Sequence, residues 1–177
     1  MKQNIPYWQV AGFLVTSILG TLLHFLFDWT GGSVLAALFS AVNESIWEHM
    51  KLLYYPMFAF AILQYHIWGR ERENFWCVKL IGTWAGRALI PVLYYTYSGI
   101  FGISVAWLNI AIFFLAAGVS YWLEYQCFQK CSACPIPSGI ALGFLGLTGL
   151  IFTVFTFLTP HIPFFRDPIT GTYGFQR

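Results

Sequence analysis

Seven ionisable side chains stand out in an otherwise apolar chain: His24, Asp28, Glu44, Glu48, His49, His161 and Asp167. They make up four of the seven acidic residues and three of the four histidines. His24 and Asp28 are four apart, as are Glu44 and Glu48, a spacing that puts each pair on one face of a helix. Imidazole and carboxylate ligands together suit Zn, Mn or Fe, so His24, Asp28, Glu44, Glu48 and His49 form a candidate set for a divalent transition metal. A metal held this way can activate water against a lipid or peptide bond. The same groups can also bind an ion, a proton or a small solute beside a broken helix, as carriers do. A third reading is structural or partner-binding: Asn43 caps a helix, and the helix dipole favours Glu44 and Glu48 in its first turns. The enzyme stands slightly ahead of the carrier, although no His-Glu-x-x-His spacing separates them. Arg87 lies in mid-span, where an isolated guanidinium is costly, and is expected to pair with a carboxylate of the Asp28, Glu44 and Glu48 group.

Four cysteines form a second candidate. Cys127, Cys131 and Cys134 give C-x3-C-x2-C, and Cys77 falls on the same side under the topology below. Four thiols can hold zinc or an Fe–S centre. Without a duplicated C-x2-C pair, reduced and unliganded thiols in apolar surroundings are the expectation.

These residues must be positioned by helices in lipid. Apolar residues make up 58% of the chain and charged ones 9%, against about 25% charged in soluble domains. The net charge of +2 is dispersed and excludes a nucleic-acid partner. Apolar runs of spanning length, about 20 residues, recur along the whole sequence. The expectation is one all-α domain: a polytopic membrane helix bundle with about five transmembrane helices, at 5–27, 45–68, 75–97, 104–127 and 138–158. Residues 33–42 are too short to cross and read as a re-entrant or interfacial helix. Residues 159–177, with Pro160, Pro163, Asp167-Pro168, Gly171 and Gly174, read as a non-helical tail. Trp and Tyr near the ends of the runs mark the interfaces. Gly82 with Gly86, and Gly139 with Gly143, are small-x-x-x-small pairs that allow close helix approach within the bundle or with a second copy.

The positive charges of the loops set the orientation. Lys2, Arg70, Arg72, Lys79 and Lys130 fall on one side, and Lys51, Arg166 and Arg177 on the other. That split favours a cytoplasmic N-terminus and places the His/Asp/Glu group at the outer face. His66 and Glu124 lie near cytoplasmic helix ends and read as packing or snorkelling side chains.

The string Val42-Asn43-Glu44-Ser45-Ile46-Trp47-Glu48-His49-x-Lys51-Leu52 follows His24-x3-Asp28-Trp29 and precedes Pro163-x3-Asp167-Pro168-x-Thr170-Gly171-x-Tyr173-Gly174. It resembles a family of small bacterial membrane proteins, chiefly from Firmicutes, that carries no assigned activity. The resemblance implies a bacterial plasma-membrane setting and an approximate fold, with a small-molecule or lipid ligand left open by the residues. The Cys-rich loop lies outside the resembling pattern.

Overall fold

The computed structural model describes residues 4–130 and 134–176. It is all-helical, with α1 (Ile5–Trp29), a single turn α2 (Val34–Ala37), α3 (Ile46–Ile67), α4 (Phe75–Phe101), α5 (Ala106–Lys130) and α6 (Ser138–Phe157). Short 3-10 turns lie at Gly69–Glu71 and Pro163–Phe165.

Local chemistry accounts for the boundaries. Pro6 sits in the first turn of α1, where its missing N–H costs nothing, and Gly31 and Gly32 end the helix with φ of 62° and 77°. The Ser45 hydroxyl caps α3 by accepting the Glu48 N–H at 3.4 Å. Asn43, expected to be the cap, instead makes a turn before it, its side-chain oxygen accepting the Ser45 N–H at 3.0 Å. Gly102 adopts the left-handed conformation that closes α4.

Helices α1, α4, α5 and α6 are long and apolar enough to cross a membrane. Helix α3 has a spanning length but carries Glu48, Lys51, Gln64 and Pro56, and it packs between α1, α4 and α6. The bundle is inverted relative to a soluble one. Helix α1 turns Gln9, Gly12, Thr16, Ser17 and Gly20 inward, and it presents Val10, Leu14, Ile18 and Leu22 outward at four-residue spacing. Small inward residues let backbones approach, and the large apolar stripe matches a lipid solvent.

The turn α2 spans only about 6 Å at 1.5 Å per residue. Its Ala36 and Ala37, with Ser40 and Ala41 beyond, are buried, while Leu35 and Phe39 are exposed. The tail is ordered: Phe175 N–H donates to the Thr156 carbonyl at 2.8 Å, and Arg166 and Tyr173 form an isolated antiparallel bridge.

The glycine pairs divide. A Cβ on Gly82 would meet Glu124, and one on Gly86 would fall 1.9 Å from Ser120 Oγ, so this face is used by α5 within the chain. Gly139 and Gly143 have nothing within 4 Å of an added Cβ.

Candidate metal centre and adjoining cavity

The C-terminal end of α1, the start of α3 and the tail meet at one end of the bundle. There His24 from α1, Glu44 from the α2–α3 connection and His49 from the first turn of α3 converge. Each offers a ligating atom, and the three atoms lie within 4.8 Å of one another. His24 Nε2 is 3.6 Å from Glu44 Oε1, and His49 Nε2 is 3.5 Å from Glu44 Oε2. These separations are long for hydrogen bonds. Measured to the two different Glu44 oxygens, they approach the about 3.4 Å that tetrahedral geometry requires between two ligands each about 2.0–2.1 Å from zinc.

The hydrogen bonds around the three residues support that role. The Ser45 carbonyl can only accept, so His49 Nδ1, 2.9 Å away, carries the proton. That bond fixes the ring and turns Nε2 towards Glu44, as an outer carbonyl does for a metal-ligating imidazole. His24 Nδ1 is buried without a hydrogen-bond partner.

Glu44 is positioned from the tail. Asp167 is 4% exposed, and its Oδ2 accepts the Glu44 N–H at 3.4 Å. Its Oδ1 accepts the N–H groups of Ile169 at 2.7 Å and Thr170 at 3.2 Å. Burial pushes the Asp167 carboxyl up, but these hydrogen bonds outweigh it and hold the group below the ordinary carboxylate value. Asn43 adds a second tie, its Nδ2 donating to the Gly174 carbonyl at 3.3 Å. Asp167 and Asn43 are thus supports for the site.

Several expected members lie elsewhere. Glu48 points into the core at 1% exposure and pairs with Lys51 at 2.5 Å. Asp28 is exposed at the end of α1, and His161 is exposed against the Tyr173 ring. The expected ion pair of Arg87 is replaced by aromatic rings: its guanidinium lies 5.7, 5.6 and 5.5 Å from the ring centres of Tyr54, Trp84 and Phe152. The pairing fails because Lys51, one turn from Glu48 on the same helix, reaches the carboxylate first. Lys51 and Lys79 are not loop charges but buried cations, and Lys79 pairs with Glu124 at 2.5 Å. Glu124 therefore does not snorkel, whereas His66 accepts from exposed Arg70 at 2.8 Å.

The cysteines also depart from expectation. Cys77 and Cys134 form a disulfide, so these two are neither reduced thiols nor thiolate ligands. Cys127 is half-buried against the core, and Cys131 lies outside the described residues.

No motif signals the cavity of about 160 Å³ beside His24 and His49. Its walls come from α1 (Gly20, Thr21, Phe25), α3 (Leu52) and α5 (Asn109, Ile110, Phe113, Phe114), with His24 and His49 at one end. The α5 wall has no signal in any motif, because it exists only once α5 packs on α1.

Neither a curated protein nor a solved structure matches the chain. Residues 1–175 match a family described as a family of unknown function, DUF6512, and the chain belongs to that family.

Proposed function

We propose that His24, Glu44 and His49 hold a divalent transition metal and that the protein is a metal-dependent hydrolase embedded in a bacterial plasma membrane. Two histidines and one glutamate are a three-ligand set that leaves a position open for water or substrate. A metal there supplies Lewis acidity and a nucleophilic water at neutral pH. The observation that carries this reading is the convergence of three ligating atoms from separate chain segments, two of whose residues, His24 and His49, line a cavity. The supports from Ser45, Asn43 and Asp167 are the kind of outer arrangement that fixes ligands in place.

A carrier needs access to the site from both faces. The far half of the bundle is packed with Trp68, Phe75, Trp76 and Phe128 around the closed Lys79–Glu124 pair, which favours the enzyme. A purely structural role would rest on the His24–Glu44 and His49–Glu44 contacts as ion pairs, and the adjoining cavity lined by His24 and His49 favours a ligand site over it. Elemental analysis of the purified protein tests the proposal. One transition metal per chain is expected in the wild type and in Asp28→Asn, and it should be lost from His24→Ala and His49→Ala. Metal-free wild-type protein that melts cooperatively would refute the hydrolase.

A further inference from the structure

We infer that the cavity beside the three ligand residues seats the acyl chain of a membrane lipid, with the lipid's ester carbonyl held at His24, Glu44 and His49. The inference rests on the metal-centre reading and adds the class of substrate.

Depth is the first argument. Trp29 closes α1 as an exposed aromatic residue of the kind that marks the membrane interface. His24 lies five residues earlier, so at 1.5 Å per residue the ligand group sits about 7–8 Å below that level. The headgroup region is itself about 5–8 Å thick on each side of the hydrocarbon core. The metal centre therefore falls where headgroups give way to acyl chains, the level of the ester linkages of glycerolipids.

The lining is the second argument. Leu52, Phe25, Ile110, Phe113 and Phe114 form an apolar wall. Its two neutral polar side chains are already engaged: Thr21 Oγ1 donates to the Ser17 carbonyl at 2.8 Å, and Asn109 bonds with Tyr97 and Ser104. A peptide at this depth would bring backbone N–H and C=O groups that all need partners. The cavity supplies none, whereas a hydrocarbon chain asks for none. The polar end holds His24 and His49, with Glu44 just beyond them, which suits a molecule with one reactive polar group on a long apolar chain.

Access is the third. Ile110 and Phe25 are 59% and 44% exposed on the outward surface, whereas Leu52, at the back, is 3% exposed. A chain entering between α1 and α5 passes the first two from the lipid and ends against the third. In the reaction, the oxygen of water bonds to the acyl carbon and the bond from that carbon to the glycerol oxygen breaks. One water proton ends on the glycerol oxygen, giving a free fatty acid and an alcohol.

The test uses a diacylglycerophospholipid with a photoactivatable diazirine near the ester end of one chain, in bilayers containing the full-length protein. Adducts are mapped by mass spectrometry, and metal content is measured on the same samples. Adducts on Leu52 are expected, because annular lipid cannot reach a residue so buried. They should fall several-fold in Thr21→Trp and Ile110→Trp, which fill the cavity from exposed positions. Leu14→Trp, on the outward stripe of α1, should leave them unchanged. Adducts confined to outward residues in metal-loaded protein would overturn the lipid seat and leave the metal centre standing. So would Leu52 labelling that ignores both cavity-filling variants. Leu52 labelling that both variants remove, in protein without metal, would support the lipid seat while refuting the hydrolase.

Discussion

Lys51 Nζ lies 2.5 Å from a carboxylate oxygen of Glu48, one turn earlier on α3, and both side chains are essentially without exposure. The pair also joins three segments. Lys51 donates to the Ala37 carbonyl at 3.0 Å and to Thr156 Oγ1 at 2.9 Å. Glu48 accepts the Val42 N–H at 3.2 Å. Lys51→Met leaves a buried carboxylate uncompensated and should cost about 3–5 kcal/mol. Glu48→Gln with Lys51→Met should recover much of that loss in detergent melting, and equal damage in the single and double variants would contradict the pairing.

Arg87 should behave differently. Its contacts are aromatic, and a cation–π contact contributes about 0.5–2 kcal/mol. Arg87→Ala should therefore destabilise the bundle by about 1–2 kcal/mol, less than Lys51→Met. Combined with Glu44→Gln, its effect should be additive, since no ion pair joins the two. A coupling between them in a double-mutant cycle would restore the ion pair expected from sequence.

The two glycine pairs give opposite expectations. Gly86→Ala puts a Cβ against Ser120 Oγ and 2.9 Å from the Ala116 carbonyl oxygen, which cannot move aside cheaply. Overpacking of this kind costs about 1–3 kcal/mol. Gly143→Ala has open space and should be neutral or stabilising by about 0.5–1 kcal/mol through helix propensity. Melting temperatures of the two variants decide the point.

Much of this architecture was legible in the sequence, and the failures share a cause. Apolar runs gave the helices to within a few residues because length and hydropathy are local properties. The break at Asn43 to His49 marked the start of α3 because capping chemistry is local too. Lys51, Lys79 and Arg87 misled because hydropathy cannot say which way a charged side chain points in a span. Glu44 and His49 were separated from Glu48 only by direction around the first turn of α3. The Cys77–Cys134 bond joins residues 57 apart in the chain and needed the packing of the α5–α6 connection on α4.

The tail should respond to acid. Asp167 has a carboxyl held below its ordinary value. Its contribution is thus fully present above the unfolded carboxyl value of about 3.9 and is lost as pH falls through the lower folded value. Hydrogen exchange of residues 165–175 should rise in that range and not near neutrality. Asp167→Asn should already exchange fast at pH 7, and protection unchanged in that variant would refute the clamp.

Charge and redox chemistry pull the orientation in opposite directions. With Lys51 and Lys79 buried, the remaining described cations at the bundle ends are Arg70, Arg72 and Lys130 against Arg166, a bias that still favours a cytoplasmic N-terminus. That places Cys77 and Cys134 on the reducing side, where thiols stay reduced. Denaturing intact cells in an alkylating agent and mapping the Cys77 and Cys134 peptides decides between the two, since alkylated thiols keep the N-terminus cytoplasmic. A bond already closed in cells would turn the bundle over and put the His24, Glu44 and His49 group at the cytoplasmic face.

The docking of the tail on Asn43 and Glu44 also sets an order in biosynthesis. His24 and His49 enter the membrane early, because chains fold from the N-terminal side as they are made. Asp167, which holds Glu44, and Gly174, which holds Asn43, follow every helix and so emerge after all of them. The nascent bundle therefore passes through a stage with two imidazoles in place and an unfixed carboxylate. Assembly of the three-residue group is coupled to completion of insertion, which keeps a half-inserted chain from carrying a formed site.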